Sequence, residues 1–197
     1  MMFARQVGCC RRMVTLLTVT VMFGGSPLWA ADTWYADAVN GNDAWNGSRQ
    51  VHETGTLNGP KQTLQEAVDC ANTGDTVVAL PGVYRTGGKT DAWNTDAAKC
   101  HKARVLISKK ITLKSLNGRA TRDTTVILGE HDATTEGSAD LGNGTGDNAV
   151  RCLAIASAAN GTVVEGLTLK DGATRNGGDS NATSGGGAMV QAVSSGV

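Results

Sequence analysis

Glu130-His131-Asp132 sets an imidazole between two carboxylates directly after a β-rich run, and such groups could move a proton between substrate and solvent. No nucleophile or oxyanion donor lies near it to complete a site, and the commoner reading of such a tripeptide is a solvated loop. Asp37, Asn40, Asn42 and Asp43 bring four oxygen-bearing side chains into one short loop, as a Ca²⁺ loop would. The bidentate glutamate that ends an EF-hand loop is missing, since Ser48 holds its place. Asx turns explain the same residues fully. Asp91-Ala92-Trp93-Asn94 places an aromatic among polar neighbours, suited to stacking on a sugar or, more commonly, to anchoring a loop. Asp171 and Asp179 flank a glycine-rich turn, and Lys109-Lys110 reads as a charged corner between two strands. No CxxC or His/Cys spacing suggests zinc, and no cofactor motif is present. The catalytic residues are therefore unknown, and no metal or cofactor ligand is assigned.

The compartment is easier to read. Arg5, Arg11 and Arg12 precede an apolar run from Met13 to Phe23, and Gly24-Gly25-Ser26-Pro27 interrupts it before it reaches membrane-spanning length. This is the pattern of a signal peptide, with cleavage near Ala30 or Ala31. We expect residues 1–31 to be removed, and the chain to be secreted or displayed at the cell surface with no membrane span in its mature part. The mature chain carries 15 basic and 18 acidic residues, a net charge of −3. That balance gives no reason to expect nucleic acid. Three cysteines remain, Cys70, Cys100 and Cys152. An oxidising compartment allows one disulfide, for which Cys70–Cys100 is preferred because one cysteine ends a helix and the other precedes a strand. Three buried thiols are the equal alternative.

Several elements must position whatever chemistry exists. Leu64, Ala67, Val68 and Ala71 follow the i, i+3, i+4, i+7 pattern of one helical face. Thr63 and Glu66 form a capping box, and Gly74 is placed to end the helix. Short strands with recurring β-branched residues are expected at 33–36, 76–80, 83–85, 103–108, 111–114, 124–128, 151–156, 162–164, 167–170 and 188–192. Asn-Gly turn signals recur at 40, 46, 58, 117, 143, 160 and 176. The connections 86–102 and 129–149 are long, polar and glycine-rich, which disfavours a sandwich of tight hairpins and favours a solenoid whose turns swell outward. Such a stack exposes an apolar end, and the helix at 63–71 is placed to cover it.

Trp34-Tyr35-Ala36-Asp37-Ala38-Val39-Asn40-Gly41-Asn42-Asp43, Gly59 to Val68 and Gly74 to Tyr84 resemble the opening of right-handed parallel β-helix proteins of the pectate-lyase-like superfamily. Ile111 to Ser115, Thr125 to Gly129 and Val163 to Gly172 continue the likeness. Gly185-Gly186-Gly187-Ala188-Met189 is similar to the glycine-rich repeats of bacterial surface and autotransporter-passenger β-helices. The resemblance spans residues 33–192 and concerns turns, cap and core. It implies an all-β fold, a right-handed parallel β-helix (solenoid) with a short N-terminal capping α-helix. The implied organisation is a signal peptide at 1–31, a lead-in segment and capping helix at 32–75, and coils over 76–197, incomplete at the C-terminal end. Two functional classes follow. One is an adhesin-like or structural surface protein that meets extracellular polysaccharide or a host surface without chemistry. The other is the N-terminal part of a polysaccharide lyase or glycoside hydrolase. A lyase of this kind would use carboxylate-held Ca²⁺ and a Lys or Arg base on stacked coils in the full-length protein. The polar inserts at 86–102 and 129–149 would then wall a substrate groove.

Overall fold

The computed structural model describes residues 30–91, 100–132, 146–175 and 186–191. The expected export signal falls almost wholly outside these residues. Eleven strands and one α-helix follow in the order β1 (Thr33–Ala36), α1 (Leu64–Cys70), β2 (Thr76–Ala79), β3 (Gly82–Tyr84), β4 (Lys89–Thr90), β5 (Lys102–Ile107), β6 (Thr112–Ser115), β7 (Thr125–Leu128), β8 (Val150–Ile155), β9 (Val163–Glu165), β10 (Thr168–Lys170) and β11 (Ala188–Val190). Each strand expected from the sequence is present, with bounds that differ by a residue or two. Only β4 was not foreseen. Its two residues are polar and exposed, so no apolar pattern marks it, and backbone pairing to β5 alone creates it.

The strands form three sheets, ordered β1-β2-β6-β9, β3-β7-β10 and β4-β5-β8-β11. From β2 onward the chain visits the first, second and third sheet in turn, and repeats that circuit through β6-β7-β8 and β9-β10-β11. Because each circuit runs the same way, its strands must pair in parallel, and every pairing but β4–β5 does. Register then stacks like on like. Trp34, Val77, Leu113 and Val164 form one ladder, and Tyr84, Ile127 and Leu169 another. Ile107, Ile155 and Val190 form a third. Except for Val164 and Val190, which are exposed, the members of these rows meet in one apolar core.

The N-terminal end of the stack is closed by hydrogen bonds. Thr63 caps α1, its hydroxyl accepting from the Glu66 amide at 3.3 Å. The reciprocal half of the expected capping box is made differently: Asp43 Oδ1, not Glu66, accepts the amide hydrogens of Gln62 and Thr63. The helix stops at Ala71, and Gly74, at φ +96°, serves the following turn instead of the helix end. Gln65, 4% exposed, acts as a strand surrogate: its Oε1 accepts from Leu106 N at 2.7 Å and its Nε2 donates to Leu106 O at 3.3 Å. Asp75 ties the same end together by accepting from Asp32 N, Asn72 N and the Trp34 indole N–H, each within 2.9 Å. The free edge of β1 is covered by the 41–61 loop, through Tyr35 N to Gly47 O, Lys61 N to Tyr35 O and Asp37 N to Lys61 O.

Two features depend on glycine. Gly166, at φ +68°, makes the two-residue turn from β9 to β10, and a Cβ there would lie 2.4 Å from the Gly118 carbonyl. Beyond the second sheet, Gly129, Gly172 and Gly186 stack in a column: a Cβ on Gly129 would lie 2.4 Å from Gly172, and one on Gly172 would lie 2.0 Å from Gly186 O. Successive circuits approach there backbone to backbone.

Cys70, Cys100 and Cys152 are all buried. Cys70 is disulfide-bonded. Helix α1 lies over one end of β5, with Gln65 on Leu106 and Asp69 beside Lys109. Cys100 precedes the other end, where its carbonyl accepts from Arg175.

Candidate functional site

Buried polar groups gather where the second sheet gives way to the third. Asp91 is 5% exposed, His101 1%, Arg104 4%, Asp132 1% and Arg151 0%. A charge this far from water needs a partner, and the partners here are structural. The Arg104 guanidinium donates to Leu128 O and Gly87 O, each at 2.9 Å, and meets Glu130 Oε2 at 3.3 Å. It thus joins the ends of two circuits. Arg151 lies 3.8 Å from the Asp91 carboxylate. Asp132 accepts from the Asn148 amide at 2.9 Å and from its side chain at 3.4 Å. His101 Nε2 sits 3.1 Å from Ala173 O, while its Nδ1 has no hydrogen-bond partner among the described residues. Burial pulls the His101 pKa down to about 4, against the Ala173 carbonyl that favours its protonation, and nearby Arg151 and Arg175 lower it further. Its ring is therefore neutral at physiological pH.

The candidate residues do not converge. In Glu130-His131-Asp132 the first two are exposed and the third is buried beneath Asn148, so the three share no site. Asp37 is used up in an Asx turn, its Oδ1 accepting from Val39 and Asn40 amides and its Oδ2 from the Asn40 side chain. Asn42 turns the chain in the same way onto Ala44, as Asn46 does onto Ser48. Oxygens of Asp37, Asn42 and Asp43 thus accept backbone amide hydrogens. Asp171, at φ 53°, pairs weakly with Lys170 at 3.9 Å. Lys109 clamps the corner to α1 by donating to Asp69 O at 3.1 Å, and burial lowers its pKa. Ala92, Trp93, Asn94 and Asp179 lie outside the described residues. Among the described residues no cluster of His, Cys, Asp or Glu is placed to hold a metal ion, and no helix is long and apolar enough to cross a membrane.

One concave feature escaped the sequence reading. A cavity of about 470 Å³ opens between the Asp37 turn and the 46–59 loop, lined by Asn40, Trp45, Gln50, Val51, His52 and Pro60 among others. The Trp45 and His52 rings stack beside it, centroids 3.9 Å apart and planes within 3°. The sequence signal was an aromatic and an imidazole within a turn-rich loop, but neither shows periodicity, and only the loop's return at Asn46 N to Leu57 O and Gly47 N to Gly59 O brings them together.

Comparison with known proteins finds no match: no family model fits the chain, and neither characterised proteins nor solved structures resemble it detectably.

Proposed function

We propose that the chain is an exported right-handed parallel β-helix, capped at its N-terminal end, that serves as an adhesin-like or structural surface protein. The observation that carries this reading is the repeated circuit through three parallel sheets, closed at its N-terminal end. The right hand follows from the strong preference of parallel crossover connections. Export rests on the basic and apolar pattern of residues 1–31. Extracellular polysaccharide or a host surface is the partner such a protein would meet.

A polysaccharide lyase or glycoside hydrolase would need charged groups stacked on the outside of adjacent circuits. Asp91, Arg104, Asp132 and Arg151 are instead sunk in the molecule and bonded to it. This favours the reading without chemistry for the described residues.

The test is protease treatment of intact cells that produce the tagged chain, with the mature N-terminus sequenced. We expect cleavage of the chain from outside and a mature terminus at Ala31 or Asp32. A chain that keeps residues 1–31 and stays protected until the cells are broken would sink the proposal.

A further inference from the structure

We propose that the cavity beside Trp45 is a binding site for a neutral saccharide. The inference rests on the reading of the chain as an exported surface protein and gives that protein a ligand. The cavity volume of about 470 Å³ falls in the range of small-molecule sites. Its chemistry is aromatic and amide together. Trp45 and His52 supply a stacked ring pair, onto which the C–H face of a pyranose packs. Asn40 and Gln50 supply side-chain amides, which both donate and accept and so match hydroxyls that do the same.

The polar groups are also unspent. Trp34, on the neighbouring strand, commits its indole N–H to Asp75, as a buried indole normally does. The Trp45 N–H and the Gln50 side chain make no hydrogen bond among the described residues. Asn40 spends its N–H on Asp37 and keeps its side-chain carbonyl for another partner. Val51, 74% exposed, and Pro60 add an apolar wall. The charge argues for a neutral ligand: the carboxylate lining this cavity is Asp37, which repels uronates.

The experiment titrates the folded chain with cellohexaose, mannohexaose and xylohexaose, and with hexagalacturonate as the acidic comparator. Binding is read by calorimetry and by tryptophan fluorescence. We expect at least one neutral oligomer to bind, and hexagalacturonate to bind at least about tenfold more weakly, given the Asp37 charge. Gln50→Ala, at an exposed position, should weaken the neutral oligomer about fivefold through one lost hydrogen bond, with an unchanged melting curve. Trp45→Phe should reduce both affinity and the fluorescence response. No binding of any neutral oligomer, or binding that ignores both substitutions, overturns the site. If the chain is nevertheless found outside the cell, the surface reading survives without this ligand. If hexagalacturonate binds best, the site is not a neutral-sugar site and the enzyme alternative gains weight.

Discussion

The two ends of the stack carry the same ladders in opposite conditions. At the closed end Val77 and Leu113 are fully buried, while Val164 in the same row is 37% exposed. In the third sheet Ile107 is 0% exposed and Val190, two rungs along, is 64% exposed. Side-chain chemistry hardly changes along either row. What changes is whether another layer lies over it. At the closed end Gln65, Asp75, Asp43 and the 41–61 loop satisfy strand edges one bond at a time. At the other end β9, β10 and β11 present parallel edges that no described residue covers. Unprotected edges are templates for further strands, so protection against association in this molecule is built by polar side chains at specific places, not by the apolar repeat itself.

That contrast breaks most readily at Asp75. Asp75→Ala removes the acceptor of three hydrogen bonds that join Asp32, Trp34 and Asn72. We expect a loss of about 3 kcal/mol in denaturant unfolding. A loss below about 1 kcal/mol would mean that the closed end does not depend on this residue.

A comparable effect should come from pH. The His101 pKa is about 4 in the folded chain, against an ordinary 6.5. A histidine depressed on folding is neutral in the native state, so its contribution is fully present above about pH 6.5 and falls as the unfolded chain takes up the proton first. The loss should grow between about pH 6.5 and pH 4, to at most ~3 kcal/mol. His101→Gln should flatten this part of the stability curve, measured by denaturant midpoints across that range. An unchanged slope would assign the acid sensitivity to other groups.

Gln65→Ala strips the surrogate strand from Leu106 and leaves its amide and carbonyl without those partners. About 2 kcal/mol should be lost, and the Leu106 amide should exchange faster with solvent deuterium than its neighbours in β5. Exchange at the wild-type rate would show that Gln65 is not what protects this edge.

The smallest change in stability, and the largest in behaviour, belongs to the open end. Val164→Lys with Val190→Lys should alter stability by under about 0.5 kcal/mol, because both positions are already exposed. The wild-type chain should self-associate with rising concentration in sedimentation experiments, and the charged pair should stay monomeric. A wild-type chain that is monomeric throughout would remove the distinction between the two ends.

Much of the architecture was legible because period and turn chemistry are local. Thr-Val-Val-Ala at 76–79 and Arg-Val-Leu-Ile at 104–107 announce short buried strands, and Leu64, Ala67, Val68 and Ala71 announce one helical face. The Asx turns at Asp37, Asn42 and Asn46 followed from residue type alone. The buried polar set was not legible. Nothing in the local pattern says that Arg104 and Arg151 sit below 5% exposure, since arginine is ordinarily a surface residue.

The sequence by itself determined which segments become strands, where the helix begins, and that turns would crowd between them. These depend on steric preferences and apolar spacing within a few residues. Only the tertiary structure decided that Asp43 would cap α1, that Gln65 would stand in for a strand, that Gly129, Gly172 and Gly186 would share one column, and that Trp45 and His52 would meet beside a cavity. Each of those depends on which circuit lies over which, and register between distant segments is set by the whole stack rather than by any residue's neighbours in the chain.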